Sequence, residues 1–86
     1  MSKEFHLQSV LVIDDDIELT DMLSTYLSGM GYSVNVKNDG EAGLSEAISG
    51  HHYDLILLDV MMPKMDGFDV LQKLRASHTT PVLMLT

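Results

Sequence analysis

The sequence predicts an α/β fold in which a parallel sheet carries helices on its faces. The first observation is a run of large apolar residues, Leu55 to Leu58, which has no polar alternation and ends on Asp59. Short runs of this kind are typical of strands buried on both faces of a parallel sheet. The second observation is that strand and helix patterns alternate along the chain as β-α-β-α-β-α-β. This order indicates parallel strands joined by right-handed crossovers.

Local patterns predict the first strand and helix. Residues 1–7 have the character of a loose leader, and residues 8–86 form the predicted single domain. The β-branched run within Ser9 to Ile13 predicts a buried strand. Asp16 can cap the helix that follows. Apolar residues at steps of three and four predict a stripe that faces the core. They are Leu19, Met22, Leu23, Tyr26, Leu27 and Met30.

The remaining elements follow in the same way. Alternating residues from Tyr32 to Val36 predict a half-buried edge strand. A second helix is expected from about Glu41 to Ser49, with Asp39 as its cap. A third is expected from about Gly67 to Ala76. The last apolar run, Pro81 to Leu85, predicts a buried type of strand.

The end of the sequence predicts an uncovered strand. The chain stops on Thr86, directly after the last apolar run. We therefore expect the outer edge of the Pro81–Thr86 strand, or the uncovered sheet face beside it, to contact another copy in a homodimer.

Composition excludes several classes of function. The net charge is -8, and the five basic residues are scattered, so direct contact with a nucleic acid backbone is not expected. The chain has no cysteine, which excludes thiolate and disulfide chemistry. No apolar run approaches the roughly 18 residues of a membrane span. The leader lacks the features of a signal peptide, which favours a cytoplasmic location without membrane contact.

The predicted topology gathers acids at one rim of the sheet. The carboxyl ends of parallel strands share one edge, so Asp14, Asp15 and Asp16 should approach Asp59, with the hydroxyl of Thr86 beside them. Clustered carboxylates repel one another unless a cation neutralises them. Hard oxygen ligands favour Mg²⁺. Carboxylate, Mg²⁺ and hydroxyl together indicate phosphoryl transfer to an aspartate.

These residues resemble the receiver domain of two-component response regulators. The resemblance rests on three blocks and their spacing: Val12–Asp16, Leu57–Gly67 and Pro81–Thr86. The segment Met61–Pro63 is most similar to regulators of the OmpR/PhoB type, including envelope-stress regulators of the Cpx type.

The resemblance implies a role for each matching residue. Asp59 would accept the phosphoryl group from a histidine kinase. Asp15 would bind Mg²⁺ directly, and Asp14 would help through a water. Asp59 and the backbone carbonyl of Met61 would complete the ligands, and Thr86 would be the switch hydroxyl. Pro63 and Gly67 would shape the adjacent loop.

The resemblance also implies the fold and its limits. It implies a flavodoxin-like doubly wound sheet with strand order 2-1-3-4, truncated before the fourth helix, fifth strand and fifth helix. These missing elements, about a third of the family's fold, would include the lysine that pairs with the phosphoryl group. Neither Lys64 nor Lys73 matches the place of that lysine in the motif. DNA would be bound only through a missing effector domain. The module would be a phosphorylation-dependent switch in signalling rather than an enzyme.

The same residues leave alternatives to the receiver interpretation. A self-associating fragment without competent phosphoryl chemistry is the main one. A haloacid dehalogenase phosphatase is disfavoured because Glu18 stands where its D-x-D-x-T/V pattern, begun at Asp14, requires Thr or Val. A calcium loop at Asp14–Asp16 would need a Gly at its sixth position and a Glu at its twelfth, and the chain has neither there. The pair His51-His52 is more typical of a solvated loop than of a metal site.

Overall fold

Four strands and three helices alternate in the computed structural model, which describes residues 8–85. The strands form one parallel sheet in the order β2-β1-β3-β4. This confirms the predicted fold class and strand order. The elements are β1 (Ser9–Ile13), α1 (Ile17–Gly29), β2 (Ser33–Lys37), α2 (Gly40–Ala47), β3 (Leu55–Asp59), α3 (Gly67–Arg75) and β4 (Val82–Leu85).

Each helix begins at an aspartate. The side chains of Asp16, Asp39 and Asp66 accept hydrogen bonds from the backbone N–H three residues on, at 3.1, 2.7 and 3.0 Å. These bonds satisfy donors that a helix start leaves unpaired. Gly31 and Gly50 follow the first two helices with φ of 96° and 98°, which glycine adopts without strain. The predicted caps Asp16 and Asp39 are confirmed, and the carboxylate of Asp16 is used to cap α1.

The core lies between the sheet and the helices α2 and α3. Residues of β1 and β3 that are paired in register share this face, as Leu11 does with Ile56 and Ile13 with Leu58. All four are almost fully buried. The other members of the cluster are Ala47, Tyr53, Met62, Val70 and Leu74. This packing holds β1 and β3 side by side, which fixes the positions of the loops that follow them.

The opposite face of the sheet is covered less completely. Burial alternates along β3, so Ile56 and Leu58 are buried whereas Leu55 and Leu57 are only partly buried. The prediction that this strand is buried on both faces is therefore wrong for the second face. Leu83 of β4 is 56% exposed, so β4 is not of the fully buried type either. The reason is that α1 packs on β1 and β2 and leaves β3 and β4 open on this side.

Half of the stripe on α1 also faces solvent. Met22, Tyr26 and Met30 were predicted to lie in the core, but each is between 58% and 65% exposed. The partly buried apolar residues of α1 are Leu23 and Leu27, together with Leu19. The apolar stripe predicted from the spacing was therefore too wide, since Met22, Tyr26 and Met30 lie on the side of α1 that faces solvent.

The predicted homodimer stays a prediction. The edge strand β4 and the half-open face beside it are the surfaces to which it was assigned. Light scattering at high protein concentration is expected to give the mass of a dimer, and a monomer across the whole concentration range would contradict it. The leader, residues 1–7, and Thr86 lie outside the described residues. Among residues 8–85, no helix is long and apolar enough to cross a membrane.

Candidate functional site

Three carboxylates meet at the carboxyl end of the sheet. Asp14 and Asp15 follow β1, and Asp59 ends β3. One carboxylate oxygen from each lies within 4.8 Å of the others. Asp14 is 4% exposed, Asp59 is partly buried and Asp15 is exposed. The structure therefore brings together three of the four acids that were predicted to share the rim, and one of the three, Asp15, faces solvent. The fourth, Asp16, caps α1 instead.

Backbone hydrogen bonds hold two of these acids. The N–H of Asp14 donates to the carbonyl of Lys37 at 3.1 Å and thereby extends the pairing of β1 with β2. Its carboxylate Oδ1 accepts from the N–H of Asp16 at 2.9 Å. The Oδ1 of Asp59 accepts from the N–H of Met61 at 3.2 Å. Both carboxylates are therefore held in place by the loops that carry them.

The electrostatics of the cluster disfavour charge on Asp14. Burial raises the pKa of its carboxyl group above the ordinary value of 3.8, and the neighbouring Asp59 and Asp15 raise it further. The hydrogen bond from the N–H of Asp16 acts in the opposite direction and lowers the pKa. A carboxylate that is buried beside two others is stabilised by a cation, because the cation offsets the repulsion and the lost hydration.

The Asp14→Asn variant is expected to unfold at a higher temperature than the unsubstituted chain in EDTA at neutral pH. The pKa of Asp14 is higher in the folded chain than in the unfolded chain. The contribution of this carboxyl group to stability is therefore fully present only below the pKa that it has in the unfolded chain. That contribution is lost as the pH rises through the raised pKa. Asparagine keeps an oxygen for the Asp16 N–H and carries no charge. Thermal unfolding followed by circular dichroism against pH checks this, and equal midpoints at neutral pH would contradict it.

The loop after β3 is tightly held by Val60 and Gly67. The N–H of Gly67 donates to the carbonyl of Val60 at 2.8 Å, and the N–H of Val60 donates to the carbonyl of Leu85 at 3.0 Å. A Cβ atom built on Gly67 would lie 2.2 Å from the carbonyl oxygen of Asp59. Only glycine therefore allows the start of α3 to approach the backbone of Asp59 this closely. The N–H of Met65 also donates to the carbonyl of Pro63 at 2.8 Å.

Lys64 occupies the left-handed region in this loop. Its φ is 71°, and it is the one residue other than glycine with positive φ among residues 8–85. An L-residue with a side chain pays roughly 1–2 kcal/mol in this conformation.

The Lys64→Gly variant is therefore expected to raise the free energy of unfolding by about 0.5–1 kcal/mol, since part of the relief is lost to the greater freedom of glycine when unfolded. Lys73 is exposed within α3 and is the matched control. Lys73→Gly should lower the free energy by about 1 kcal/mol. Urea denaturation of both variants measures the two changes, and a loss of stability in Lys64→Gly would contradict the prediction.

The methionines of this region divide into two groups. Met62 is buried in the core cluster and Met65 packs against it. Met61 is 80% exposed beside Asp59. Its carbonyl as a metal ligand stays a prediction, and so does the switch role of Thr86, which lies outside the described residues.

Asn38 lies beside the site, and it is not among the site residues predicted from the sequence. Its side-chain Nδ2 donates to the backbone carbonyl of Asp14 at 2.8 Å and to the hydroxyl of Thr20 at 3.1 Å. The signal that could have found it is its position directly after β2. Because β2 neighbours β1, the end of β2 reaches the same rim as Asp14.

Known proteins match this chain along nearly its whole length. The family model described as the response regulator receiver domain matches residues 10–86. The transcriptional regulatory protein CpxR of Klebsiella pneumoniae is 49% identical over 80 residues, which are 93% of this chain. The match covers 34% of that regulator, so the chain spans about a third of the length of such relatives.

Solved structures of receiver proteins are similar to this chain in both fold and sequence. The chemotaxis protein CheY4 of Vibrio cholerae has a TM-score of 0.86 and 35% identity, and the match covers 92% of this chain and 68% of that one. The N-terminal domain of a response regulator receiver protein from Methanoculleus marisnigri has a TM-score of 0.84 and 39% identity, covering 94% and 68%. The resemblance to OmpR-type regulators, including those of the Cpx type, is confirmed. The chain belongs to the response regulator receiver domain family.

Proposed function

We propose that this chain accepts a phosphoryl group on Asp59 from the phosphohistidine of a histidine kinase, with Mg²⁺ bound beside it. The observation that carries the proposal is the approach of Asp14, Asp15 and Asp59 to within 4.8 Å of one another, in a chain of the receiver family. A nucleophile at this position needs charge neutralisation more than a strong base. The half-buried Asp59 can be reached from solvent.

The donor set fits Mg²⁺. All its side-chain donors are carboxylate oxygens, and Mg²⁺ prefers one or two carboxylates together with water and phosphate oxygens. Asp15 is exposed and would bind the ion directly, whereas the buried Asp14 would act through a water. Asp59 and the carbonyl of Met61 would be the other protein ligands. When bound, Mg²⁺ would neutralise charge on the phosphoryl oxygens and on the three acids.

The residues of the chain then have distinct tasks. A carboxylate oxygen of Asp59 attacks phosphorus, and the bond from phosphorus to the donor's imidazole nitrogen breaks. The imidazole leaves with the electron pair, and an acyl phosphate forms on Asp59. The hydrogen bond from the Met61 N–H to Oδ1 keeps the carboxylate in one orientation. The hydroxyl of Thr86 would donate to a phosphoryl oxygen after transfer.

Incubation with acetyl phosphate tests the proposal without a kinase. In the presence of Mg²⁺, intact mass spectrometry is expected to show the addition of one phosphoryl group, and EDTA should abolish it. The absence of a mass gain with Mg²⁺, or an equal gain in EDTA, would contradict the proposal. A gain in a longer receiver chain of this sequence, but not in the 86 residues, would favour the self-association alternative.

The proposed role in a cell is that of a switch in a two-component phosphorelay. Relatives such as CpxR are named as transcriptional regulatory proteins, and this chain covers only the part of them that contains the receiver domain. A DNA-binding output would therefore belong to another domain of a longer protein. The net charge of -8 supports this assignment, because a strongly acidic domain repels a phosphate backbone. A cytoplasmic location follows from the proposed partner, a histidine kinase.

A further inference from the structure

The side chain of Asn38 joins three elements around the acidic cluster. One N–H of its amide reaches the carbonyl of Asp14 at 2.8 Å, and the other reaches the hydroxyl oxygen of Thr20 at 3.1 Å. Asn38 follows β2, Asp14 follows β1, and Thr20 lies in the second turn of α1. A single amide therefore links the end of one strand to both sides of the loop that carries the acids.

The residues that receive these bonds are buried. Asp14 is 4% exposed and Thr20 is 1% exposed. Thr20 uses its own hydroxyl proton to donate to the carbonyl of Ile17 at 3.0 Å, so its oxygen is free to accept from Asn38. The N–H of Asp14 donates to Lys37, the residue before Asn38. Both polar groups of the Asp14 backbone are thus tied to consecutive residues at the end of β2.

An amide suits the chemistry of this link. The two bonds use two N–H donors on one nitrogen, and neither an aspartate nor a serine at this position would supply them. The acids repel one another, so the loop at residues 14–16 would move apart if its backbone were released. Groups that orient ligands from behind in this way commonly control the affinity of a metal site.

We propose that Asn38 is a positioning residue that holds Asp14 and Asp15 in the arrangement that binds a divalent cation, with Thr20 as its second anchor. The proposal rests on the function proposed above. It adds that cation affinity depends on a residue of the β2–α2 loop that does not itself contact the ion.

Binding of Mn²⁺ followed by electron paramagnetic resonance, with Mg²⁺ as competitor, tests this on the full chain. The dissociation constant of Asn38→Ala is expected to rise about tenfold. Thr20→Val keeps the shape of the side chain but removes the acceptor, and a smaller rise is expected. The double variant should bind no more weakly than Asn38→Ala, because both changes break the same link.

Asn35→Ala is the matched control. Asn35 lies on β2 itself, and its amide donates to the hydroxyl of Tyr53 at 2.7 Å, outside the acidic cluster. Its dissociation constant should not change, even where its unfolding temperature falls. This separates a loss of cation affinity from a general loss of stability.

A failure of the positioning role and a failure of the proposed function give different results. If the unsubstituted chain binds Mn²⁺ and Asn38→Ala binds it equally well, the positioning role is overturned and the proposed function stands. If the unsubstituted chain binds neither Mn²⁺ nor Mg²⁺, both are overturned. If Asn38→Ala fails to fold, Thr20→Val decides, and an unchanged dissociation constant in that variant overturns the role.

Discussion

The Asp59→Ala variant is expected to take up no phosphoryl group from acetyl phosphate and Mg²⁺ under conditions in which the unsubstituted chain gains one. The loss should be complete, because alanine has no oxygen nucleophile and the neighbouring acids do not replace it. Asp14 is buried, and its Oδ1 accepts a hydrogen bond from the loop. Asp15 is exposed, and its carboxylate would be held by the Mg²⁺ ion that it is proposed to bind directly. Intact mass spectrometry measures the outcome directly.

The control for this variant is Asp16→Ala. Asp16 belongs to the same acidic segment, but its side chain caps α1. Its removal should cost about 1 kcal/mol of stability and leave the phosphoryl gain in place. Asp59→Ala itself should fold well, because it removes one of the charges that raise the pKa of Asp14. A phosphoryl group retained on Asp59→Ala would show that another residue is the acceptor.

Gly67→Ala is expected to cause the largest loss of stability, about 3 kcal/mol, which is the upper range for overpacking at a close contact. The added Cβ would lie 2.2 Å from the carbonyl oxygen of Asp59 and 2.9 Å from the Cα of Val60. Both neighbours are backbone atoms, so no side chain can turn aside to make room. Urea denaturation measures the change. The phosphoryl gain should also slow, because the backbone that must shift carries Asp59.

Gly29→Ala is the matched control for this substitution. Gly29 lies at the end of α1, and a Cβ there would meet no atom within 4 Å. Because alanine is the better helix former, the free energy of unfolding should stay unchanged or rise by up to about 1 kcal/mol. A Gly67→Ala variant as stable as Gly29→Ala would contradict the close approach of α3 to Asp59.

The fold and most of the acidic site could be predicted from the sequence, because both depend on the order of strands and helices along the chain. Apolar runs locate the strands, and the shared rim of a parallel sheet brings Asp14 and Asp15 to Asp59 whatever the details of packing. The rotation of α1 could not be predicted in the same way. Spacing shows that Tyr26 belongs to an apolar stripe, but only the position of the helix over the sheet shows that Tyr26 lies on its exposed edge.

Two further features depended on which elements lie side by side. The pattern of β3 is the same whether or not a helix covers its second face, so the partial exposure of Leu57 could not be read from it. The role of Asn38 depends on the neighbour relation of β1 and β2. The expected strand order already contains that relation, but a strand order does not show that the amide of Asn38 turns toward the carbonyl of Asp14.

The two backbone hydrogen bonds of Val60 connect the residue after Asp59 to α3 on one side and to β4 on the other. Its carbonyl accepts from Gly67 at the start of α3, and its N–H donates to Leu85 at the end of β4. Any displacement of the peptide after Asp59 must therefore either stretch one of these bonds or carry β4 with it. Strain generated where Asp59 reacts would reach the far edge of the sheet through one residue, without crossing the hydrophobic core.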